Sequence, residues 1–368
     1  MENFPNYLFG FIVSIVLIWI LQPVAKKIGL VDKPGGRKKH LGRVPLIGGI
    51  AMMGGLVATL LSLDEPIGMV SGLLMGGALL LAVGTIDDIV SLSPFTRFLA
   101  QITAALIMIT MSSVYLQDFG YLLGNETFSL GVWAIPVTVF ATVGVINAIN
   151  MSDGMDGLAG GLVLVALFGL GFFNVTSGTG QHTYLFLALI TVVTAFLIFN
   201  IRTAWRSHAQ IFMGNGGSML LGFIIAWLLI YQTQGDQRAV SPVFALWILA
   251  LPLLDTVCIM LRRIFKGRSP FAPDREHFHH ILLVAGYSVN QSVWIILCLA
   301  SLLAMMGVIG IYVDMPDMVM FIAFLALFAF YFWGMSHAWK VMKVIKREKS
   351  TGGGAVENVI KPVKSSEN

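Results

Sequence analysis

Long apolar runs, separated by short polar connections, dominate the pattern along the chain. Windows of about 20 apolar residues have the length that an α-helix needs to cross a bilayer. They predict eleven membrane-spanning helices, at residues 4–22, 45–63, 67–86, 98–116, 129–149, 157–176, 183–201, 211–231, 240–261, 291–312 and 316–340. The runs are too long for the strands of a membrane barrel and lack their alternation. The pattern therefore predicts an all-α polytopic integral membrane protein.

The composition excludes a water-soluble fold. Of the 368 residues, 57% are hydrophobic and 11% are charged, whereas a soluble domain is roughly 45–50% apolar and about 25% charged. The 25 Phe and the long aliphatic runs also exclude a disordered chain. The two cysteines, Cys258 and Cys298, lie inside apolar runs. We expect both to be small hydrophobic residues on buried helix faces, without a disulfide or a thiolate metal site.

The placement of the basic residues predicts the orientation. The eleven-helix partition puts all of the 23 Lys and Arg residues except Arg238 on one side. Basic loops face the cytoplasm, so we expect the N-terminus outside and the C-terminus inside. Glu2 stands where a cleavable signal would be basic, so the first run is expected to remain as a helix. We expect one membrane domain over residues 1–346 and a disordered cytoplasmic tail over 347–368.

Polar groups at helix ends carry the candidate chemistry, because burying them in a membrane protein is expensive. Four polar clusters all fall on the predicted cytoplasmic side. The first is Asp87-Asp88, which closes the third predicted helix. Adjacent carboxylates repel and need a cation or a shared proton, and a divalent metal with phosphate oxygens is the usual solution. A solvated helix end is the structural alternative.

The second cluster connects the fifth and sixth predicted helices. Two amides and two carboxylates recur there at every third position: Asn147, Asn150, Asp153 and Asp156. Steps of three drift by about 60° each on an unbroken helix, so the four side chains cannot share one face. Gly154 and Gly157 allow the backbone to turn and the carboxylates to point inward. The cluster suits metal and nucleotide binding, and a polar interhelical turn is the alternative.

The third cluster opens the eighth predicted helix, where Asn215 lies among three glycines, Gly214, Gly216 and Gly217. Backbone N–H groups at such a helix start can bind an anion. Glycine is also common where membrane helices pack closely, and that is the alternative interpretation.

The fourth cluster lies in the loop after the ninth predicted helix and contains Arg275, His277, His279 and His280. Zinc would require further ligands that this spacing does not provide. Beside Arg275, the histidines fit donors to a pyrophosphate better. A basic loop held at anionic lipid headgroups is the alternative. Asp255 is the one acidic residue well inside a predicted helix, and it either lines the same cleft or pairs with a neighbouring helix.

In order and spacing, these clusters resemble the polyprenyl-phosphate N-acetylhexosamine-1-phosphate transferases. The residues that carry the resemblance are Asp87-Asp88, the run from Asn147 to Asp156, Phe212-Met213-Gly214 and His277-Phe278-His279-His280. The resemblance covers essentially the whole chain, including residues 29–34 and 45–49. Residues 269–280 are similar to the bacterial branch that transfers GlcNAc-1-phosphate to undecaprenyl phosphate.

The resemblance implies a reaction at the bacterial inner membrane, with the active site on its cytoplasmic face. UDP-GlcNAc and undecaprenyl phosphate would give undecaprenyl-diphospho-GlcNAc and UMP, with Mg²⁺ or Mn²⁺ as cofactor. Such products start O-antigen, enterobacterial common antigen or teichoic-acid linkage units. The resemblance implies no nucleic-acid partner and leaves a homodimer open.

The resemblance also implies roles for single residues. The implied metal ligands are Asp87, Asp88, Asp156 and Asn215. The implied catalytic residues are Asp87, Asp88, Asp153 and Asp156. The implied substrate-binding residues are Asn147, Asn150, Asp153, Arg275, His277, His279 and His280.

Asn215 is the one clear departure from the family pattern, because most relatives have Asp at this position. An amide oxygen can coordinate Mg²⁺ but supplies no charge. A unit charge about 4 Å from a divalent ion, at an effective dielectric near 20, is worth roughly 8 kcal/mol as a gross upper bound. Three explanations stay open: a weakened or inactive paralogue, compensation by carboxylates such as Asp88 and Asp156, or an alteration that traps a complex. We expect the protein to bind UDP-GlcNAc.

Two alternative functions remain. A transporter or lipid flippase would place its polar sites near the bilayer midplane, whereas here only Asp255 is deep. The same type of reaction with another UDP-sugar or acceptor is the alternative within the family.

Overall fold

The computed structural model describes residues 3–32, 42–63, 68–124, 126–176, 183–203, 205–235, 238–269 and 277–351, with side chains as far as 337. These ranges are predominantly helical. The helices are α1 Phe4–Ile28, α2 Gly48–Ser62, α3 Ser71–Val90, α4 Pro94–Ser112, α5 Ala134–Ser152, α6 Leu158–Thr176, α7 Thr183–Asn200, α8 Gly214–Thr233, α9 Phe244–Ile248, α10 Ala250–Phe265, α11 Phe278–Val284, α12 Val289–Tyr312 and α13 Asp317–Thr351. A 3₁₀ turn, Gly131–Trp133, leads into α5.

The helices are those of a polytopic membrane protein. Within the described ranges, nine are long and apolar enough to cross a bilayer. Every one of the eleven predicted intervals overlaps a helix, and in two of the intervals no helix is long enough for a span. Helix α2 has 15 residues, and the ninth interval is divided between α9 and α10 at Leu249. The count of eleven and the orientation of the termini therefore stay predictions.

Several helix ends follow from local sequence. Ser93 accepts a hydrogen bond from the N–H of Thr96 at the start of α4, and Pro94 occupies the first helical position. Ser288 and Gln291 form a capping box at the start of α12. Gly29, with a φ of 83°, ends α1 in the left-handed conformation that glycine adopts without strain.

Helix α8 lies in the centre of the molecule. Every one of its 20 residues is buried except Asn215 and Tyr231. Glycines permit this packing, since a Cβ at Gly217 would lie 2.9 Å from the Cα of Gly49 on α2. A Cβ at Gly216 would lie 2.8 Å from the carbonyl oxygen of Leu81 on α3. These two glycines therefore serve close helix packing, the alternative that the sequence had left open.

The outer helices present large apolar side chains away from the core. Trp19 is 63% exposed, Phe140 is 80% exposed and Trp333 is 60% exposed. Apolar surface of this kind is stable against lipid and unstable against water. Cys298 also lies on an exposed helix face, so the prediction that both cysteines are buried is wrong for Cys298 and confirmed for Cys258.

A short two-stranded ladder, β1 Val31–Asp32 with β2 Val44–Pro45, was not predicted. Val31 pairs with Pro45 and Asp32 pairs with Val44. Two-residue strands are too short to show an alternating pattern, so they cannot be predicted from the hydrophobic and polar positions. The strand β2 leads directly into Leu46, which pairs with Phe212, so the ladder brings the starts of α2 and α8 together.

Helix α13 ends at Thr351, so residues 347–351 of the predicted disordered tail continue its last turns. Residues 352–368 of that tail lie outside the described residues. The domain boundary at 346 stays a prediction.

Candidate active site

The first turn of α8 meets the end of α3 through Asn215. Its side-chain Nδ2 donates to Oδ2 of Asp87 at 2.9 Å, and its backbone N–H donates to Oδ2 of Asp88 at 3.0 Å. Asp87 is buried. It also accepts from the N–H of Leu92 at 2.7 Å and pairs with Arg97 at 3.3 Å. The first and third predicted clusters thus form one site.

Gly214 is required for this arrangement. Its φ of +73° is rarely adopted by other residues, and a Cβ there would clash with Oδ2 of Asp88. The N–H that follows Gly214 is therefore directed at an internal carboxylate. The anion that the sequence had placed at this helix start is, in this structure, Asp88 itself.

The end of α5 contacts α8 and α4 through the two amides of the second cluster. Asn150 Nδ2 donates to the hydroxyl of Ser218 at 2.6 Å, one turn after Asn215. Asn147 Nδ2 donates to Oε1 of Gln101 at 2.7 Å. Gln101 is buried on α4. These contacts bring the predicted nucleotide-binding amides to the same end of α8 as the paired carboxylates.

Asp153 follows the last residue of α5, with a non-helical ψ of 48°. Desolvation in the cleft, followed by repulsion from Asp88 and Asp156, raises the pKa of its carboxyl to about 7. The outer side of the residue is open to solvent, and Asp88 and Asp156 repel the carboxylate from its inner side. The charges of Asp88 and Asp156 therefore act on the carboxyl of Asp153.

Asp156 ties the turn after α5 to the loop between α7 and α8. Its Oδ2 accepts from Arg202 Nε at 2.7 Å and from the N–H of Ala209 at 3.2 Å. Gly157, with a φ of +85°, turns the chain as predicted. Its N–H donates to Oδ1 of Asn200 at 2.7 Å. The structure thus places Asp156 in an ion pair that sequence reasoning had not foreseen.

The histidine cluster lies against the same turn. A Cβ at Gly154 would lie 2.5 Å from Nε2 of His279, so the two residues are in close contact. The ring of His279 stacks on His277 at 5.5 Å and lies 4.2 Å from the ring of His280. Burial, followed by the neighbouring histidines, lowers the pKa of His279 to about 3. His279 is therefore neutral at physiological pH, while Arg275 lies outside the described residues.

Asp255 resolves the choice that the sequence had left open. Its Oδ2 accepts from Nδ1 of His277 at 2.8 Å, and its Oδ1 accepts from the N–H of Phe278 at 3.0 Å. It also accepts from the hydroxyl of Tyr331 on α13 at 2.9 Å. The carboxylate thus pairs with a neighbouring helix and with the histidine cluster.

The donor set around Asn215 fits Mg²⁺ in its chemistry. Mg²⁺ prefers hard oxygen ligands and is usually held by one or two carboxylates, with phosphate and water oxygens completing the shell. Asp87 and Asp88 are two such carboxylates, and Asn215 adds an amide. Among the described residues, no group of three or more His, Cys, Asp and Glu side chains is arranged to hold a metal by itself. A metal here would rely on substrate oxygens.

Sequence reasoning missed the residues that hold the predicted ones in place. These partners are Arg97, Gln101, Arg202, Ser218 and Tyr331. Gln101 could have been identified from the sequence, because an amide inside an apolar helix is uncommon and indicates a buried polar contact. Arg97 and Arg202 had entered only as loop charges.

An apolar cavity of about 890 Å³ lies elsewhere, between α1 and α7. Its lining consists of Asn3, Phe4, Tyr7, Leu8, Phe11, Leu187 and Thr191. None of the residues of the polar clusters borders it, and its lining carries no charge, so it does not belong to the site around α8.

Residues 70–233, which hold three of the four clusters, match the Glycosyl transferase family 4. The chain is also 38% identical to the undecaprenyl-phosphate alpha-N-acetylglucosaminyl 1-phosphate transferase of Escherichia coli (strain K12), over 92% of both chains. The protein of the same name in Yersinia pestis is 38% identical to this chain, over 92% of this chain and 93% of the relative. The one in Haemophilus influenzae is 37% identical, over 92% of this chain and 96% of the relative. The chain belongs to glycosyl transferase family 4.

Proposed function

We propose that this protein transfers GlcNAc-1-phosphate from UDP-GlcNAc to undecaprenyl phosphate, giving undecaprenyl-diphospho-GlcNAc and UMP. The proposal places the reaction at the cytoplasmic face of the bacterial inner membrane. One observation carries it: the four polar clusters converge around the first turn of α8, through Asn215–Asp87, Asn150–Ser218 and Gly154–His279. The names of the relatives support the same reaction.

The chemistry explains why such a site belongs at one end of the helices. The lipid phosphate is anchored in the bilayer and the sugar nucleotide comes from water, so two anions must meet at the membrane surface. Basic side chains are needed there to reduce their repulsion. Arg97, whose side chain is 34% exposed beside Asp87, and Arg202 lie at this end.

In the proposed reaction, an oxygen of undecaprenyl phosphate attacks the β-phosphorus of UDP-GlcNAc. The bond between that phosphorus and the bridging oxygen breaks, and UMP leaves with the bond's electron pair. Asn147, Asn150 and Asp153 would contact the nucleotide, and the histidines would hold the diphosphate. Fixing two reactants in line is the main contribution that a protein makes to phosphoryl transfer.

Asp87, Asp88 and the amide oxygen of Asn215 would hold Mg²⁺ or Mn²⁺. The ion would supply positive charge that screens the phosphate oxygens. Asp156 was predicted as a further ligand, and its Oδ2 already accepts from Arg202 and Ala209. In the proposal Asp156 therefore acts mainly by fixing the turn that carries Asp153.

The direct test uses purified protein with radiolabelled UDP-GlcNAc, undecaprenyl phosphate and Mg²⁺. We expect lipid-linked GlcNAc and UMP to form in equal amounts. Chelation of divalent ions should abolish both products, and Mg²⁺ or Mn²⁺ should restore them. Release of UMP without lipid-linked sugar would contradict the transferase assignment.

The variant Asp88→Asn tests the role of the paired carboxylates. The amide keeps the size of the side chain and removes the charge that would bind the metal, so we expect kcat to fall by about 100-fold or more. The Tm should change by only a few degrees. Asp118→Asn is the matched control, because Asp118 pairs with Arg238 near the opposite end of α8. Near-normal turnover of Asp88→Asn would remove Asp88 from the mechanism.

A further inference from the structure

Asp255 collects three hydrogen bonds from two neighbouring elements. The donors are His277 Nδ1 at 2.8 Å, the N–H of Phe278 at 3.0 Å and the hydroxyl of Tyr331 at 2.9 Å. Asp255 lies on α10, while His277 and Phe278 begin α11 and Tyr331 lies on α13. One carboxylate thus connects the histidine cluster to two helices that bear no other predicted site residue.

The contact with Asp255 fixes which nitrogen of His277 carries a proton. An ionised carboxylate only accepts hydrogen bonds, so Nδ1 must be the protonated nitrogen. Nε2 is then the nitrogen that remains for any other partner. His277 itself is buried, so its ring has little freedom to turn away from Asp255.

The second bond to Asp255 fixes the helix that follows. The N–H of Phe278 belongs to the first turn of α11, whose first residues also carry His279. His279 in turn contacts Gly154, next to Asp153. A shift of Asp255 would therefore move the histidine cluster relative to the carboxylates of the site.

We propose that Asp255 is a positioning residue for the histidine cluster: it accepts from Nδ1–H of His277 and holds the first turn of α11, so that Nε2 of His277 is directed at the diphosphate and donates to it when the ring carries a proton on both nitrogens. This rests on the proposed function, because the diphosphate is the ligand of that reaction. Stability alone is a weak explanation for the contact, since a partly buried charged pair often adds little to folding free energy compared with apolar packing.

A double-mutant cycle with Asp255→Ala and His277→Ala tests the proposal. Each single variant should lower kcat by about 10–100-fold, with a smaller change in the KM for UDP-GlcNAc. In the His277→Ala background, Asp255→Ala should cause less than about a threefold further loss, because residues that act as a unit are not additive. Asp255→Asn keeps an acceptor oxygen and should recover part of the kcat lost in Asp255→Ala.

Tyr331→Phe is the matched control, since it removes one bond to Asp255 and leaves the bonds to His277 and Phe278. Its kcat should stay within about threefold of the parent. Fully additive losses in the cycle, or a normal kcat for Asp255→Ala, would overturn the proposal. If Asp255→Ala does not fold, Asp255→Asn takes its place in the cycle.

Nitrogen NMR of the histidine-labelled protein tests the proposal without turnover. The shifts of His277 should be those of a ring protonated at Nδ1, and Asp255→Asn should change them. A neutral ring protonated at Nε2 would overturn the positioning role, whatever the activity. An inactive parent protein with the expected shifts would instead contradict the proposed function and leave the positioning of His277 supported.

Discussion

Most relatives have an aspartate where this chain has Asn215. Here the amide of Asn215 forms a hydrogen bond between α8 and α3 instead. Its amide donates to Asp87 and its backbone donates to Asp88, so both carboxylates accept hydrogen bonds from Asn215 without a metal ion. An aspartate at this position would bring a third carboxylate against Asp87. Of the two residues considered as compensating ligands, Asp88 lies directly against residue 215, because its carboxylate accepts from the backbone N–H of Asn215. Asp156 is paired with Arg202 in the loop between α7 and α8.

The variant Asn215→Asp should strengthen metal binding and weaken the metal-free fold. We expect the Mg²⁺ concentration for half-maximal turnover to fall by about tenfold or more, and the rate to rise. In a chelator the same variant should have a lower Tm, because the added carboxylate repels Asp87. Added Mg²⁺ should reverse this difference. Turnover assays and thermal unfolding at varied Mg²⁺ measure both effects.

Gln291→Glu is the matched control for Asn215→Asp. It makes the same amide-to-carboxylate change at the exposed capping box of α12, where glutamate is also a preferred residue. Its metal dependence should equal that of the parent. If Asn215→Asp also leaves the metal dependence and the rate unchanged, Asn215 is not a metal ligand.

The raised pKa of Asp153 predicts that the stability of the folded protein depends on pH. Its carboxyl has a pKa of about 7 in the folded protein against an ordinary value of 3.8, so folding takes up a proton between these values. The stabilisation from this group is therefore fully present below about pH 4 and lost as the pH rises through about 7. Relative to the parent, Asp153→Asn should gain stability across that range. Thermal unfolding in a chelator from pH 4 to pH 8 measures the difference.

Asp314→Asn, at an exposed turn before α13, provides the matched acid-to-amide control for Asp153→Asn. The Tm difference between Asp153→Asn and the parent should vary with pH. A difference that stays constant with pH would show that the pKa of Asp153 is not raised in the folded protein. The effect should also shrink when Mg²⁺ is present, because bound positive charge offsets the repulsion from Asp88.

Site residues could be predicted from the sequence where a polar side chain lies in an apolar run. They could not be predicted where polar side chains are common, as in loops. Asp87, Asn150 and His279 stood out because charged and amide groups in apolar surroundings are rare. Their partners Ser218 and Arg202 did not, because a serine beside glycines and an arginine in a loop are ordinary. Which residues pair is fixed by helix packing, and one sequence carries little information on that.

At the scale of elements, a close contact between the α5–α6 turn and α11 joins two clusters. Gly154 leaves room for His279, so Gly154→Ala should push the ring of His279 away by its added Cβ. Because misplacement by about 1 Å can cost about 100-fold in rate, we expect kcat to fall by about 10–100-fold with the protein folded. Activity and Tm of the purified variant measure this.

Gly144→Ala is the matched control on the preceding helix α5. A Cβ there meets no atom of the described residues within 4 Å. Alanine in a helix interior is more stable than glycine by roughly 0.5–1 kcal/mol, so this control should be active and slightly more stable. Equal activity of Gly154→Ala and Gly144→Ala would show that the contact with His279 has no part in the reaction.

Long periodic elements were the predictable part of the fold. Each predicted interval overlaps a helix, because runs of about 20 apolar residues have few alternatives in a membrane protein. The short elements were missed: α11 has seven residues, and β1 and β2 have two each. Such segments depend on contacts such as Phe278–Asp255, which no local pattern announces.

At the scale of the molecule, the two ends of α8 differ in character. At the first turn, several carboxylates lie close to one another around Asn215, where desolvation and the repulsion from Asp88 and Asp156 raise the pKa of Asp153. Beyond the last turn, Gln234 Oε1 accepts from the N–H of Gln117 at 2.7 Å, and Asp317 accepts from Ser241 and Tyr121. There the carboxylates are bonded to local donors, which is typical of a structural cap. This difference supports the proposal that the end with Asn215 is the site of the reaction.

This difference between the two ends makes the orientation in the membrane testable. The site end bears Arg97 and Arg202, and the other end bears Arg238. A basic excess faces the cytoplasm, and a sugar nucleotide is made there, so the site end must be cytoplasmic for the proposed reaction. A reporter fused after His337, at the end of the apolar part of α13, should therefore read as cytoplasmic. A reporter inserted near Asn125, which lies outside the described residues, should read as external. Two reporters on the same side would overturn both the eleven-helix count and the cytoplasmic placement of the site.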